Sequence, residues 1–459
     1  MWRWRHGGWP AAALILVAVA GMAAVLIADW PGHFPPDAIS ELAQGRSGVF
    51  NLWHPPVTAW LLGMADRLSP DAAGFIVLDA ALFFASLAGF AFTSRPGWPA
   101  VVTLALIAAS PLALIYQGLV VKDVLFANAT VAAFAALAWA AKLWDRPPVR
   151  LVLIVLALAF LVLAGLVRQN GALVAAVGCA TLAAIAASKA RRRRRVPSFA
   201  IAGAASALLV TAGVMAADLA FIARSDREPE EARQWMSLQV YDLAGEVRRE
   251  PALPLNVLDR KAPALASFVR RQAAPAYDVT RADPILGLKA WKQSVATPTP
   301  WIGRQWRATA LASPGLYLRA RSAAFWQVLA TPRVDACAPV LVGVDPGDPG
   351  MLAAAGLAAR DTDRDDWDGD YAAAFLGTPV FSHLAWGGLA LVLLLLAARD
   401  VARGRRPEMV ATIGLIAAAV IFSASFFAIS LACDYRYLYL LDVAAMAALV
   451  QRLSARGGS

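Results

Sequence analysis

Two carboxylates four residues apart, Asp37 and Glu41, sit in the stretch PPDAISELAQG. If its prolines open a short helix, this spacing puts both acids on one face. Such a pair can serve as a general base for an acceptor hydroxyl or amine, or hold a metal. Two solvated loop acids are the plainer reading of the same residues. The following NLWHPP adds His54, whose imidazole can donate a hydrogen bond. Lys122 with Asp123, Arg168 with Asn170 in RQNG, and Asp434 with Arg436 in CDYRYLYLLD bring three cations, each with a polar neighbour. Asp123 and Asp434 can meet part of the demand of these cations as ion pairs, and a phosphate would meet the rest. Arginine grips a phosphate bidentately and lysine holds it as a point charge.

The elements that must position these residues are apolar. Of 459 residues, 59% are hydrophobic and 16% charged, and the mean hydropathy is +0.57. That is too apolar for a soluble globular chain of this length. Repeated apolar runs of about 20 residues can each cross a bilayer as a helix. The expectation is an all-α polytopic membrane protein with about ten spans, at 11–29, 72–92, 99–117, 124–141, 151–167, 171–188, 198–222, 380–398, 409–431 and 437–450. The first apolar run is longer than a signal peptide's core and no polar mature domain follows it, so it reads as an uncleaved span.

The net charge of +10 would suggest nucleic acid in a soluble protein, but here the basic residues cluster in short loops, most densely in the arginines at 191–195. That pattern reads as orientation, with no nucleic-acid partner. With the N-terminus inside, the basic loops near Arg95 and at 142–150, 189–195, 399–406 and 452–456 all fall on the cytoplasmic side, as do both termini. The same topology sends the acidic pair with NLWHPP, then QGLVVKD, RQNG and CDYRYLYLLD, to the opposite face. Hydropathy alone did not require them to share a side.

The domain division expected is 1–222 with spans one to seven and the first outer loop at 30–56, a mainly helical outer domain at 223–378, and 379–459 with the last three spans. Within the outer domain EEARQWMSLQVYDLAGEVRRE and SPGLYLRARSAAFWQVLA carry apolar residues at helical spacing. DPGDPGMLAAAGLAARDTDRDDWDGD reads as an exposed loop with a short helix, and its aspartates lack the spacing of a calcium loop. Residues 57–68 are amphipathic enough to lie along the membrane interface. Asp79, Asp218 and Asp442 fall within spans. Asp79, the deepest, is either an ion or proton site or an acid paired to a neighbouring helix. Cys179 is a small core residue, whereas Cys337 and Cys433 both lie outside, where an oxidising compartment permits a disulfide.

The acidic first outer loop, WHPP, KDVLFA at a span start, the RQNG hairpin and DYRYLY together resemble the GT-C superfamily of polytopic membrane glycosyltransferases. That superfamily includes the protein O-mannosyltransferases, the lipid A aminoarabinose transferase and many bacterial members. The resemblance covers 30–440 and is weaker in the polar domain. It implies inverting transfer of a sugar from a polyprenyl-phosphate carrier to a lipid, glycan or protein acceptor, at the periplasmic face of a bacterial inner membrane. By resemblance Asp37 is the base, with Glu41 as neighbour or substitute. The set departs here from the adjacent acid pair of some members, which leaves the division of labour between the two open. His54, Lys122, Asp123, Arg168, Asn170, Asp434 and Arg436 then bind the substrate. No motif supports a metal, though a divalent ion is used in some branches. Rivals are a transporter or flippase of lipid-linked sugars, another enzyme acting on the same carriers, and an assembly subunit. A transporter predicts broken helices and mid-membrane acids.

Overall fold

The computed structural model describes residues 8–51, 53–222, 230–295, 299–345, 347–404 and 406–454. The basic N-terminal start and Arg456 lie outside the described residues. The described residues are mainly helical, and their only β contacts are isolated bridges. Among the described residues, nine helical stretches are long and apolar enough to span a membrane. A tenth is a broken pair, in which Trp98–Ala108 and Pro111–Gly118 meet at 69°. This corrects the straight span expected at 99–117. Pro111 has no N–H to continue the ladder and its ring excludes a helical carbonyl behind it, so the helix stops just before it.

In chain order the elements used below are α1 (Gly8–Asp29), α2 (Pro36–Ser47), α3 (Pro56–Leu68), α4 (Gly74–Phe92), α5 (Trp98–Ala108), α6 (Lys122–Lys142), α7 (Pro147–Val167), α8 (Gly171–Lys189) and α9 (Arg195–Ile222). Then come α10 (Glu230–Arg249), α11 (Pro300–Ala312), α12 (Pro314–Ala330), α13 (Pro349–Ala355), α14 (Asp363–Ala373), α15 (His383–Ala402), α16 (Met409–Ile429) and α17 (Tyr439–Ser454).

The axis of the bundle is α6, buried over almost its whole length. Its sequence is rich in alanine, and small side chains let α4, α7, α16 and α17 close on it. The lipid-facing shell is α1, α7, α9 and α15, which carry exposed residues such as Leu16, Leu151, Leu208 and Leu395. Between the spans, α10, α11 and α12 gather a second apolar core around Val240, Tyr241, Phe268 and Ile302. Arg321 ties that core to the bundle. Its guanidinium donates to Asp242 (2.9 Å) and to the carbonyls of Phe427 (2.8 Å) and Ser430 (3.0 Å) at the end of α16. These are end-of-helix carbonyls that lack intrahelical partners.

The aspartate-rich stretch, expected to be an exposed loop with one short helix, forms two helices. α13 packs on α2, and α14 reaches α1. A capping box of Thr362 and Asp365 starts α14. Asp365 and Asp368 are fully buried against the first outer loop, because the side of α14 that carries them closes over His33.

Candidate active site

α2 begins at Pro36, and Asp37 lies in its first turn. Proline suits that position, since its missing N–H is an orphan at a helix start in any case. One turn on, Glu41 points from the same side of the helix as expected, but the two acids differ in exposure. Asp37 is 36% exposed and Glu41 is 2% exposed. α2 is held by a close crossing with α3, in which Gly45 and Gly63 face each other. A β-carbon on Gly45 would come within 2.3 Å of the Ala59 carbonyl, and one on Gly63 within 2.4 Å of the Gly45 carbonyl. Arg46 adds a fork to Asp66, at 2.9 and 2.7 Å.

α3 begins on the second of the two prolines after His54, which places the imidazole over α2. His54 Nε2 is 3.6 Å from Asp37 Oδ1. Its Nδ1 is 2.8 Å from Lys122 Nζ, and that ammonium also donates to Glu41 at 3.3 Å. An ammonium has only protons to offer, so Nδ1 accepts and the imidazole proton sits on Nε2, facing Asp37. Lys122 occupies the first position of α6, with Asp123 beside it. Asp123 pairs with Arg168, which follows the end of α7, and lies 3.9 Å from Arg436. Arg168 stacks over Phe426 and Tyr437, each about 5.5 Å from its guanidinium.

Arg436 sits in the turn before α17, and one of its nitrogens donates to Asp37 (2.6 Å) and to Asp434 (3.1 Å). That turn is braced on several sides. Cys433 is disulfide-bonded to Cys337, and its N–H donates to the Thr280 carbonyl at 2.9 Å. Tyr435 donates its hydroxyl to Asp442 (2.9 Å), whose other oxygen meets His383 at 2.9 Å, and His383 Nε2 donates to the Tyr435 carbonyl at 3.0 Å.

Asp37, His54, Lys122, Asp123, Arg168, Asn170 and Arg436 thus line one cavity of about 600 Å³, a size suited to a small organic group. Asn170 donates to Ser425 at 2.9 Å. Glu41 and Asp434 stand behind the wall, each holding a cation that lines it. The sequence reading missed the outer rim, where Trp53, Gln169, Gln234 and Trp235 join the lining. Gln234 and Trp235 come from α10, and Gln234 donates to the Trp53 carbonyl and accepts from the Gln169 amide. Their placement depends on how the outer core docks, which no local pattern signals.

Burial pulls the Asp37 carboxyl up, but the hydrogen bond from His54 and the charges of Arg436, His54 and Lys122 outweigh it. The carboxyl therefore ends well below the ordinary carboxylate range. Burial lowers Arg168 to about 10, so it stays charged at neutrality. Asp37, Glu41 and Asp123 each face a basic side chain. Asp79 is paired across helices, accepting from Asn128 at 3.2 Å, in a buried chain that runs through Gln117 to Tyr439. Cys179 is buried and free.

No family model matches the chain, and no curated protein matches its sequence. Solved structures that it is similar to include the oligosaccharyltransferase of Archaeoglobus fulgidus in its apo form, with a TM-score of 0.45 and 13% identity, covering 97% of this chain and 50% of that one. Another is the same organism's enzyme tethered to an acceptor peptide, with a TM-score of 0.44, 13% identity and coverages of 97% and 50%. A third is its complex with an inhibitory peptide and a dolichol-phosphate, with a TM-score of 0.43, 13% identity and coverages of 96% and 50%. The chain spans about half the length of these structures, and a likeness this loose assigns no activity.

Proposed function

We propose that the protein is a GT-C-type membrane glycosyltransferase. It transfers a sugar from a polyprenyl-phosphate carrier to a lipid, glycan or protein acceptor at the outer face of the membrane, with inversion. One observation carries this reading: a part-exposed carboxylate, Asp37, shares a cavity with Arg436, Lys122 and Arg168. On this topology both termini are cytoplasmic, and the cavity faces the periplasm of a bacterial inner membrane.

In the reaction Asp37 takes the proton of the acceptor hydroxyl or amine as that atom attacks the anomeric carbon. The carbon–oxygen bond to the phosphate breaks on the opposite face, and its electron pair leaves with the polyprenyl phosphate. The three cations stabilise the charge that builds there, and His54 offers its Nε2 proton to the same region. In the free protein each cation already has a carboxylate partner, and Asp37 is a weak base while Arg436 holds it. The donor phosphate therefore competes with Asp37 for the Arg436 guanidinium. Exchange of one anion for the other frees the carboxylate to act, so donor binding precedes activation of the acceptor.

Asp37→Asn separates these roles. With full-length protein in lipid and a panel of polyprenyl-phosphate sugars, it is expected to lose about 10³-fold or more in acceptor-dependent release of the carrier. Its affinity for the carrier should be unchanged or tighter, because a competitor for Arg436 is gone. Wild-type turnover in the variant would remove Asp37 from the base role. Tight carrier binding by the wild type without release from any donor would instead favour carriage of the lipid-linked sugar.

A further inference from the structure

Away from that cavity, the end of α1, the loop after it and α14 meet in a second polar cluster. Asp29, His33 and Asp368 are all fully buried. His33 Nε2 lies 3.0 Å from Asp29 Oδ1 and 3.9 Å from Asp368 Oδ2. One ligand atom from each of the three residues falls within 4.8 Å of the other two. Among the described residues, neither oxygen of Asp368 nor Oδ2 of Asp29 has a hydrogen-bond partner. Asp365, on the same helix, is satisfied by Thr362 and Arg360. Arg360 divides its donors between Asp365 and the Gly32 carbonyl. Two buried carboxylates therefore face one imidazole, with the Arg364 charge nearby but donating to the Trp30 carbonyl, and three of their four oxygens lack a hydrogen bond, an arrangement that is unfavourable unless charge is supplied.

We propose that Asp29, His33 and Asp368 bind a divalent transition-metal ion of the zinc class. One imidazole nitrogen and two carboxylates are donors that zinc accepts at about 2.0–2.2 Å. Ligand atoms on such an ion stand roughly 3–3.5 Å apart, so Asp29 and His33 already stand at that spacing and Asp368, 3.9 Å from the imidazole nitrogen, has to move inward. Asp365 Oδ1 is 3.5 Å from His33 Nδ1, the position of the outer carboxylate that fixes a metal-bound histidine. Without metal, the Gly343 N–H donates to Nδ1 at 2.9 Å, which leaves the ring proton on Nε2 toward Asp29. Binding moves that proton to Nδ1 and toward Asp365, with no net proton released by the imidazole, and the Gly343 bond is given up. A cavity of about 620 Å³ lined by His33, Asp345, Arg360 and Asp361 borders the cluster on the His33 side. The ion would staple α1 to α14 just ahead of Asp37 without touching substrate, whatever reaction the other cavity performs.

The test uses full-length protein in detergent, stripped with chelator, exchanged into zinc and desalted, with metal measured by mass spectrometry and unfolding followed by heat. About one zinc per chain and a raised midpoint are expected. Asp368→Asn and His33→Gln should lose the zinc while keeping elution volume and helical content. Asp365→Asn, which alters a carboxylate facing the imidazole and not the ion itself, should weaken zinc about 10- to 100-fold. Zinc retained equally by Asp368→Asn would overturn the site. So would a wild type that keeps no zinc and shows no shift, in which case protons balance the cluster.

Discussion

At the scale of single residues, environment separates acids that look alike in the sequence. Asp37 and Glu41 share a helix face, yet only Asp37 reaches the cavity, while Glu41 is closed in by Lys122. Glu246 in α10 differs again. It is fully buried and among the described residues neither oxygen has a hydrogen-bond partner. Burial first, then repulsion by Asp242, push it up to about 8 from its ordinary 4.5. The folded protein therefore keeps a proton that the unfolded chain releases above about 4.5. Stability should fall as pH rises from there to about 8, where the charged form takes over. Glu246→Gln removes this slope. Its thermal midpoint should match the wild type near pH 4.5 and exceed it at pH 9, and equal midpoints at pH 9 would show that Glu246 is not held neutral.

At the scale of elements, the site depends on how closely short helices meet. α2 and α3 touch backbone to backbone at Gly45 and Gly63, with no room for a methyl group between them. Gly63→Ala must push α2 away, which moves Asp37 from His54 and Arg436. Overpacking of this kind costs about 1–3 kcal/mol, and a shift near 1 Å in reacting groups lowers turnover by about 100-fold. Turnover and the unfolding midpoint of the variant should fall together, whereas unchanged turnover would show that the crossing does not set the position of Asp37. The two amphipathic segments, α10 and α12, lie where helical spacing predicts. The third span is bent and not straight, because window hydropathy averages over Pro111 and cannot register a break inside an apolar run.

At the scale of the whole molecule, the Cys337–Cys433 bond joins the segment after α12 to the turn that carries Arg436, across 96 residues of sequence. In the chain-entropy account a loop of that length contributes about 4–5 kcal/mol. An impermeant reductant added to the outside of intact cells should open it and lower turnover several-fold, with the spans still folded. A bond that resists reduction from outside but yields once the membrane is opened would put this region, and the cavity with it, on the inner side.

Periodicity and hydropathy alone carried the helical membrane class, most span positions, and the grouping of Asp37, His54, Lys122, Arg168 and Arg436, because span length and alternation of sides follow from local composition. Which span is central was not legible, since α6 and α7 are both apolar while only α6 is buried nearly throughout. His33 and Asp368 are 335 positions apart in number and meet only when α14 folds back over the first outer loop. The pairing of Lys122 with Glu41 and of Arg436 with Asp37 likewise joins distant stretches. Charge type is written residue by residue, but which charge neutralises which depends on distances that only the packed chain sets.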